Sequence, residues 1–222
     1  MQFALRRLGI ATACCALAIG GSLIAGRLGG LIGGGLGGGF GLWVWLILPR
    51  TAHSAFEAGR YSVAARRYRV LGALAGSERR ARAALLSRAA CCVAIGDGAA
   101  AEALLAGLDV HTLEAAERTV LLNNRACAQL AGGDPLAALA FVDEAAALRP
   151  DVPSVQHTRG RALLESGRVD DAIAVLDHMR AGGELPPRLE AERCRDLAKA
   201  WAQKGQVAYA DDYRQSADAF GR

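Results

Sequence analysis

Leu122-Asn123-Asn124-Arg125-Ala126, then Gly133-Asp134, Ala138-Leu139, Ala145 and finally Leu148-Arg149-Pro150-Asp151 decides how this chain folds. A small residue is followed by Gly seven positions later and by Ala twelve positions after the first. The same triple occurs at Ala52/Gly59/Ala64, Ala89/Gly96/Ala101, Gly160/Gly167/Ala172 and Ala198/Gly205/Ala210, with glycine-to-glycine spacings of 37, 37, 34 and 38. A period of this length is the mark of stacked two-helix units. In each unit an amphipathic stretch ends on a glycine, which takes a left-handed turn cheaply, and a second helix follows. The two small residues sit on facing helices and let them approach. An apolar residue four beyond the second Ala (Tyr68, Leu105, Val142, Leu176) continues the buried stripe. Helices are predicted near 50–58, 61–75, 78–95, 98–107, 112–132, 135–148, 153–166, 169–181, 187–203 and 206–219, with a break at 181–187.

The third unit resembles the tetratricopeptide repeat family, closing proline included. The fourth is similar: Gly160-Arg161-Ala162-Leu163-Leu164-Glu165-Ser166-Gly167-Arg168-Val169-Asp170-Asp171-Ala172-Ile173. The resemblance covers about 50–219. Arg88, Arg125 and Arg159 stand where the family usually has leucine, and the closing proline is missing from most units. The first leading helix is expected to be short, because an apolar span ends at Pro49. The fifth unit has Arg214 where an apolar residue is expected, as suits a solvent-facing cap. The resemblance implies an all-α solenoid of about five helix pairs in a right-handed superhelix. Its leading helices would line a groove for an extended peptide or a partner's helix. Carried over residue by residue, that groove presents Asn123, Asn124 and Cys127, then His157, Thr158 and Arg161, then Arg195, Asp196 and Lys199. Asn124 has the alternative of holding its own repeat together. The full set of basic and Asn residues of the chaperone-tail-binding subclass is not present.

Composition agrees with helices. Of 222 residues 47 are Ala and 5% are aromatic, which disfavours a β-sandwich. Basic residues are 24 Arg and 2 Lys, and they are unevenly placed. Residues 50–88 hold nine Arg against Glu57 and Glu78, while 89–222 hold 14 basic and 20 acidic side chains. No basic face runs the length of the chain, so a nucleic-acid partner is not expected.

Ahead of the repeats, 8–48 contains one charge, Arg27. The flanking stretches 8–26 and 28–48 each reach the roughly 20 residues needed to span a bilayer. Nine of the thirteen residues over 29–41 are glycine. Gly29, Gly33, Gly37 and Gly41 form a smooth stripe suited to close helix packing and homo-oligomer formation, the alternative being a flexible stretch. Arg6 and Arg7 precede the spans, and Arg50, Arg60, Arg66, Arg67 and Arg69 follow. A two-span hairpin puts both groups on the cytoplasmic side, as the positive-inside rule prefers. The expected organisation is therefore a Gly-rich transmembrane hairpin over 1–49 and a solenoid over 50–222, at the inner cell membrane and facing the cytoplasm. The apolar run exceeds a usual signal-peptide core and lacks a clear cleavage site, which disfavours an exported form.

The sequence offers no GxSxG, HExxH, P-loop or dinucleotide motif, and His53, His111, His157 and His178 lie on separate units. Cys91, Cys92, Cys127 and Cys194 lack zinc spacing, and Cys14 and Cys15 fall in the first span. No enzyme activity, cofactor, metal or structural disulfide is expected. The favoured expectation is a membrane-anchored scaffold that binds a partner protein or peptide in the groove. The alternatives are a pore or transporter subunit assembled through the glycine stripe, and an exported repeat module.

Overall fold

The computed structural model describes residues 38–221, together with isolated positions 16, 19, 23, 32, 35 and 36. Ten α-helices occur among the described residues, and no strand. They are α1 Leu48–Glu57, α2 Tyr61–Ala73, α3 Glu78–Ile95, α4 Gly98–Leu105, α5 Ala115–Ala131, α6 Pro135–Leu148, α7 Pro153–Glu165, α8 Val169–His178, α9 Pro187–Gln203 and α10 Val207–Phe220. The chain divides into two compact units between Ile95 and Gly96. In the first, α2 packs on α1 and on α3. In the second, each helix from α4 to α8 packs on the next, α9 joins α7 and α8, and α10 lies along α9.

The five period glycines turn the chain as their spacing predicts. Gly59, Gly96, Gly133, Gly167 and Gly205 have φ between +70° and +88°, where a Cβ would be strained. The turn is explicit at Gly133: its N–H reaches Leu130 O at 3.1 Å, and Asp134 N–H reaches Gln129 O at 2.9 Å. This satisfies carbonyls that the end of α5 would otherwise leave open. Asp134 then caps α6 through Ala137 N at 2.9 Å, and Asp97 caps α4 through Ala100 N at 2.9 Å.

The small residues are buried as the period requires. Ala52, Ala64, Ala89, Ala101, Ala126, Ala138, Ala172 and Ala210 are fully buried, as are the stripe residues Leu105, Val142 and Leu176. A methyl group on Gly160 would lie 2.6 Å from the Leu176 side chain, so a larger residue at this α7–α8 crossing would force Leu176 to shift. Leu122, Leu163, Leu176 and Leu197 form the main core of the second unit. The first unit centres on Ala55, Ala64 and Cys91, flanked by Phe56 and Tyr61 in edge-on contact at 5.4 Å. Burial pushes the Cys91 thiol up to about 11, with Cys92 adding to the shift.

Three expectations change. Pro49 does not end the apolar helix: residues 38–57 are helical without interruption, through a π-turn at Trp43–Ile47. Pro49 sits in the first turn of α1, and the widened turn just before it makes room for the ring and for the carbonyl its missing N–H leaves unpaired. The helix predicted from 112 begins instead at Ala115, because Asp109 caps a short 3₁₀ turn at Val110–Thr112. The helix predicted to 181 stops at His178, and a 3₁₀ turn Met179–Gly182 leads into Gly183 at φ +118°.

Among the described residues no helix is long and apolar enough to cross a membrane. The span expected over 8–26 lies outside the continuously described residues, as do Gly29, Gly33 and Gly37. Gly41 is helical, and a methyl group on it would meet nothing within 4 Å.

Candidate functional site

The leading helices α5, α7 and α9 of the second unit lie beside one another, α5 against α7 and α7 against α9. Most of the groove residues read from the sequence meet between these helices, in two short polar chains. Asn123 Nδ2 lies 4.0 Å from Cys127 Sγ, and Cys127 Sγ lies 3.4 Å from Thr158 Oγ1 on the next helix. Thr158 gives its single hydroxyl proton to Ser154 O at 2.9 Å, so the Cys127 thiol is the donor to Thr158. Burial pushes the Cys127 thiol up, which disfavours a thiolate nucleophile.

The second chain runs from α7 to α9. His157 Nε2 lies 3.1 Å from Asp196 Oδ2, and Lys199 Nζ donates to Asp196 Oδ1 at 3.0 Å. Burial alone would raise the Asp196 carboxyl. The His157 hydrogen bond and the charges of His157 and Lys199 outweigh it, so the group sits below the ordinary carboxylate range. An ionised Asp196 can only accept, so His157 Nε2 carries the shared proton.

Burial sorts the expected residues into framework and face. Asn124, Thr158 and Asp196 are 6%, 4% and 5% exposed, and His157 is 9% exposed; these four belong to the helix packing, not to an open surface. Arg161 and Lys199 are exposed, with Asn123 and Cys127 half-buried between the helices. Arg195 is exposed but sits elsewhere, with its guanidinium beside Gly221 at the last turn of α10. One residue along a helix is a rotation of about 100°, enough to carry Arg195 off the face that holds Asp196 and Lys199.

Sequence reading found Asp196 but missed the two glutamates of this face. Arg161 donates to Glu165 at 2.9 Å, and Arg188 donates to Glu192 at 3.1 Å, both at four-residue helical spacing that could have revealed them. Burial works against the Arg161 charge, but Glu165 and Asp196 more than offset it and raise its affinity for the proton. Arg161, Arg188 and Lys199 therefore stand against Glu165, Glu192 and Asp196. The face is polar and balanced in sign. Among the described residues no group of three or more His, Cys, Asp or Glu is placed to hold a metal.

The depressed Asp196 carboxyl has a measurable consequence. A carboxyl held below its unfolded value of about 3.9 stabilises the fold fully above that value, and the contribution is lost as pH falls through the folded value. Urea midpoints of the wild type are expected to fall below about pH 4, and Asp196→Asn should flatten part of that fall while lowering the neutral-pH midpoint. An unchanged acid limb in the variant would mean that Asp196 is not the group responsible.

Comparison with known proteins adds the fold relationship. The family model described as tetratricopeptide repeat matches residues 129–189, from the last turns of α5 into the start of α9. No curated protein matches the chain. A solved Podosopora anserina structure of nearly identical TPR-like repeats superposes with a TM-score of 0.54 at 19% identity, covering 78% of this chain and 92% of that one. The MSR-1 MamA structure gives a TM-score of 0.47 at 18% identity, covering 78% and 94%. Residues 129–189 thus carry a tetratricopeptide repeat segment within an all-α, TPR-like helical repeat fold.

Proposed function

We propose that this chain is a protein-interaction scaffold whose second unit seats an extended segment of a partner along α5, α7 and α9. The observation that carries the reading is a pair of cross-helix contacts, Cys127 to Thr158 between α5 and α7 and His157 to Asp196 between α7 and α9. These contacts tie the three leading helices into one floor, while Arg161 and Lys199 stand exposed at its open side. A floor fixed by its own hydrogen bonds loses little freedom when it binds, and that favours affinity. The balanced charge suits a partner segment of mixed polar character, with amide and carboxylate groups for Asn123, Lys199 and Arg161. The reading assigns no catalysis to the chain.

The same proposal places the scaffold at the inner membrane through residues 8–48, with the repeats in the cytoplasm. Support comes from two uncharged stretches of spanning length and from arginines grouped before and after them.

Two experiments test these parts separately. Replacing Arg161 and Lys199 together with Ala leaves the Cys127–Thr158 and His157–Asp196 contacts in place and is expected to reduce recovery of a co-purifying partner about tenfold, with the circular dichroism unchanged. Equal recovery would remove the groove as the binding face. Protease added to intact cells should spare the repeats, while protease added to inverted vesicles should digest them at full-length mass. A shortened product outside the cytoplasm would replace the anchor with an exported module.

A further inference from the structure

We propose a second site, in the cleft between α2 and α3, that takes an acidic side chain of a partner protein. The cleft encloses about 390 Å³ over an apolar floor that includes Gly72, Ala73 and Leu85, and Arg69, Arg82 and Arg88 stand around it. The floor and the cations suit a carboxylate carried on an apolar peptide.

The repeat shows which chemistry is missing. Arg88, Arg125 and Arg159 occupy one equivalent position, immediately before the first small residue of successive units. Arg159 reaches back to the preceding trailing helix and donates to Asp143 at 2.7 Å. Arg125 reaches back likewise, to Leu105 O at 3.3 Å and to Glu102 at 3.9 Å. Asp143 lies five residues beyond Ala138; the residue five beyond Ala64 is Arg69. Glu102 lies one beyond Ala101; the residue one beyond Ala64 is Ala65. Nothing on α2 is acidic. Where the later junctions close with a carboxylate against an arginine, this one sets two arginines on the same cleft.

The cleft's own acid, Glu78, is engaged by Arg82 at 2.8 Å and is largely exposed. The surrounding stretch 50–88 is the basic part of the chain, with nine Arg against Glu57 and Glu78. An Asp or Glu from outside would restore the pairing that Asp143 supplies internally, as a charge-assisted bond from a guanidinium. This site is independent of the groove on α5, α7 and α9, whose charges are balanced, and either can fail alone.

The test uses the purified full chain and a fluorescein-labelled peptide Leu-Asp-Leu-Asp-Leu-Asp-Leu, with its Asn-substituted counterpart as control, followed by anisotropy. The acidic peptide is expected to bind at least about tenfold more tightly than the control, and Arg69→Gln or Arg88→Gln should each weaken it about tenfold. Arg69→Asp should abolish binding and raise the thermal midpoint, because it recreates the Asp143–Arg159 arrangement. Ala73→Phe, at an exposed floor position, should block binding with every arginine retained. Equal affinity for the two peptides would overturn the inference, as would indifference to Arg69→Gln and Arg88→Gln. Displacement of the peptide by phosphatidylglycerol vesicles with the same arginine dependence would make the cleft a lipid-headgroup site instead.

Discussion

Arg193→Ala is expected to lower the stability of the second unit by up to roughly 3–5 kcal/mol, because it removes the main partner of buried Glu190 and leaves it Arg180 at 3.6 Å and the Cys194 thiol at 3.7 Å. Arg193 and Glu190 are each 3% exposed and are joined through two guanidinium nitrogens, Nη2 to Oε1 at 2.7 Å and Nε to Oε2 at 2.9 Å. The Arg193 hydrogen bonds hold the Glu190 carboxyl below its ordinary range against the effect of burial. Arg193 Nη1 also donates to Leu176 O at 3.2 Å. That carbonyl belongs to the last turn of α8, which has no intrahelical donor for it and carries the negative end of the helix dipole. One side chain of α9 thus closes the end of α8 across the break at 181–187. Urea unfolding followed by circular dichroism measures the loss. Arg193→Met combined with Glu190→Leu should recover much of it, since desolvating an ion pair opposes its attraction. A single variant that unfolds at the wild-type midpoint would show the pair to be worth nothing.

Gly98→Ala is the second large effect, with an expected cost of about 1–3 kcal/mol from overpacking. Gly98 opens α4 and faces α5 so closely that a methyl group would lie 2.5 Å from Ala128 O and 3.2 Å from the Ala131 methyl. The first of these neighbours is backbone inside a helix, so it cannot turn aside as a side chain can. The two helices would have to separate, opening space around Leu105 and Ala101, which are now fully buried. Gly107→Ala, where a methyl group meets nothing within 4 Å, is the matched control with little expected effect. The difference in thermal midpoint between the two variants is the measurement; equal midpoints would refute the crowding argument.

How far the repeat was legible depends on what each residue does locally. The period glycines were readable because a left-handed turn is a backbone property that Gly alone adopts without strain. Gly98 was not, because its reason is a neighbour thirty residues away. Pro49 misled in the same sense. Proline marks a helix end by its missing N–H, yet a π-turn at Trp43–Ile47 carries the helix past it. The arginines at 88, 125 and 159 looked like departures from the family. Two of them instead make the inter-repeat contact electrostatically, Arg159 through Asp143 and Arg125 through Glu102 and Leu105 O.

The groove divides along the same line. That Asn123, Cys127, Thr158, Arg161, Asp196 and Lys199 belong to leading helices followed from their place in the period. Which of them face a partner did not, because period assigns a residue to a helix and not to a depth. By itself the sequence determined the all-helical pairing, the five turns and the small residues at the crossings, since each rests on backbone geometry or on contacts repeated within one unit. Only the tertiary structure decided that His157 and Asp196 are buried partners, that Arg195 turns toward α10 and that Arg69 and Arg88 share a cleft whose own acid, Glu78, is engaged by Arg82. Those outcomes depend on the rotation of one helix against another, and side chains dozens of residues apart fix that rotation together.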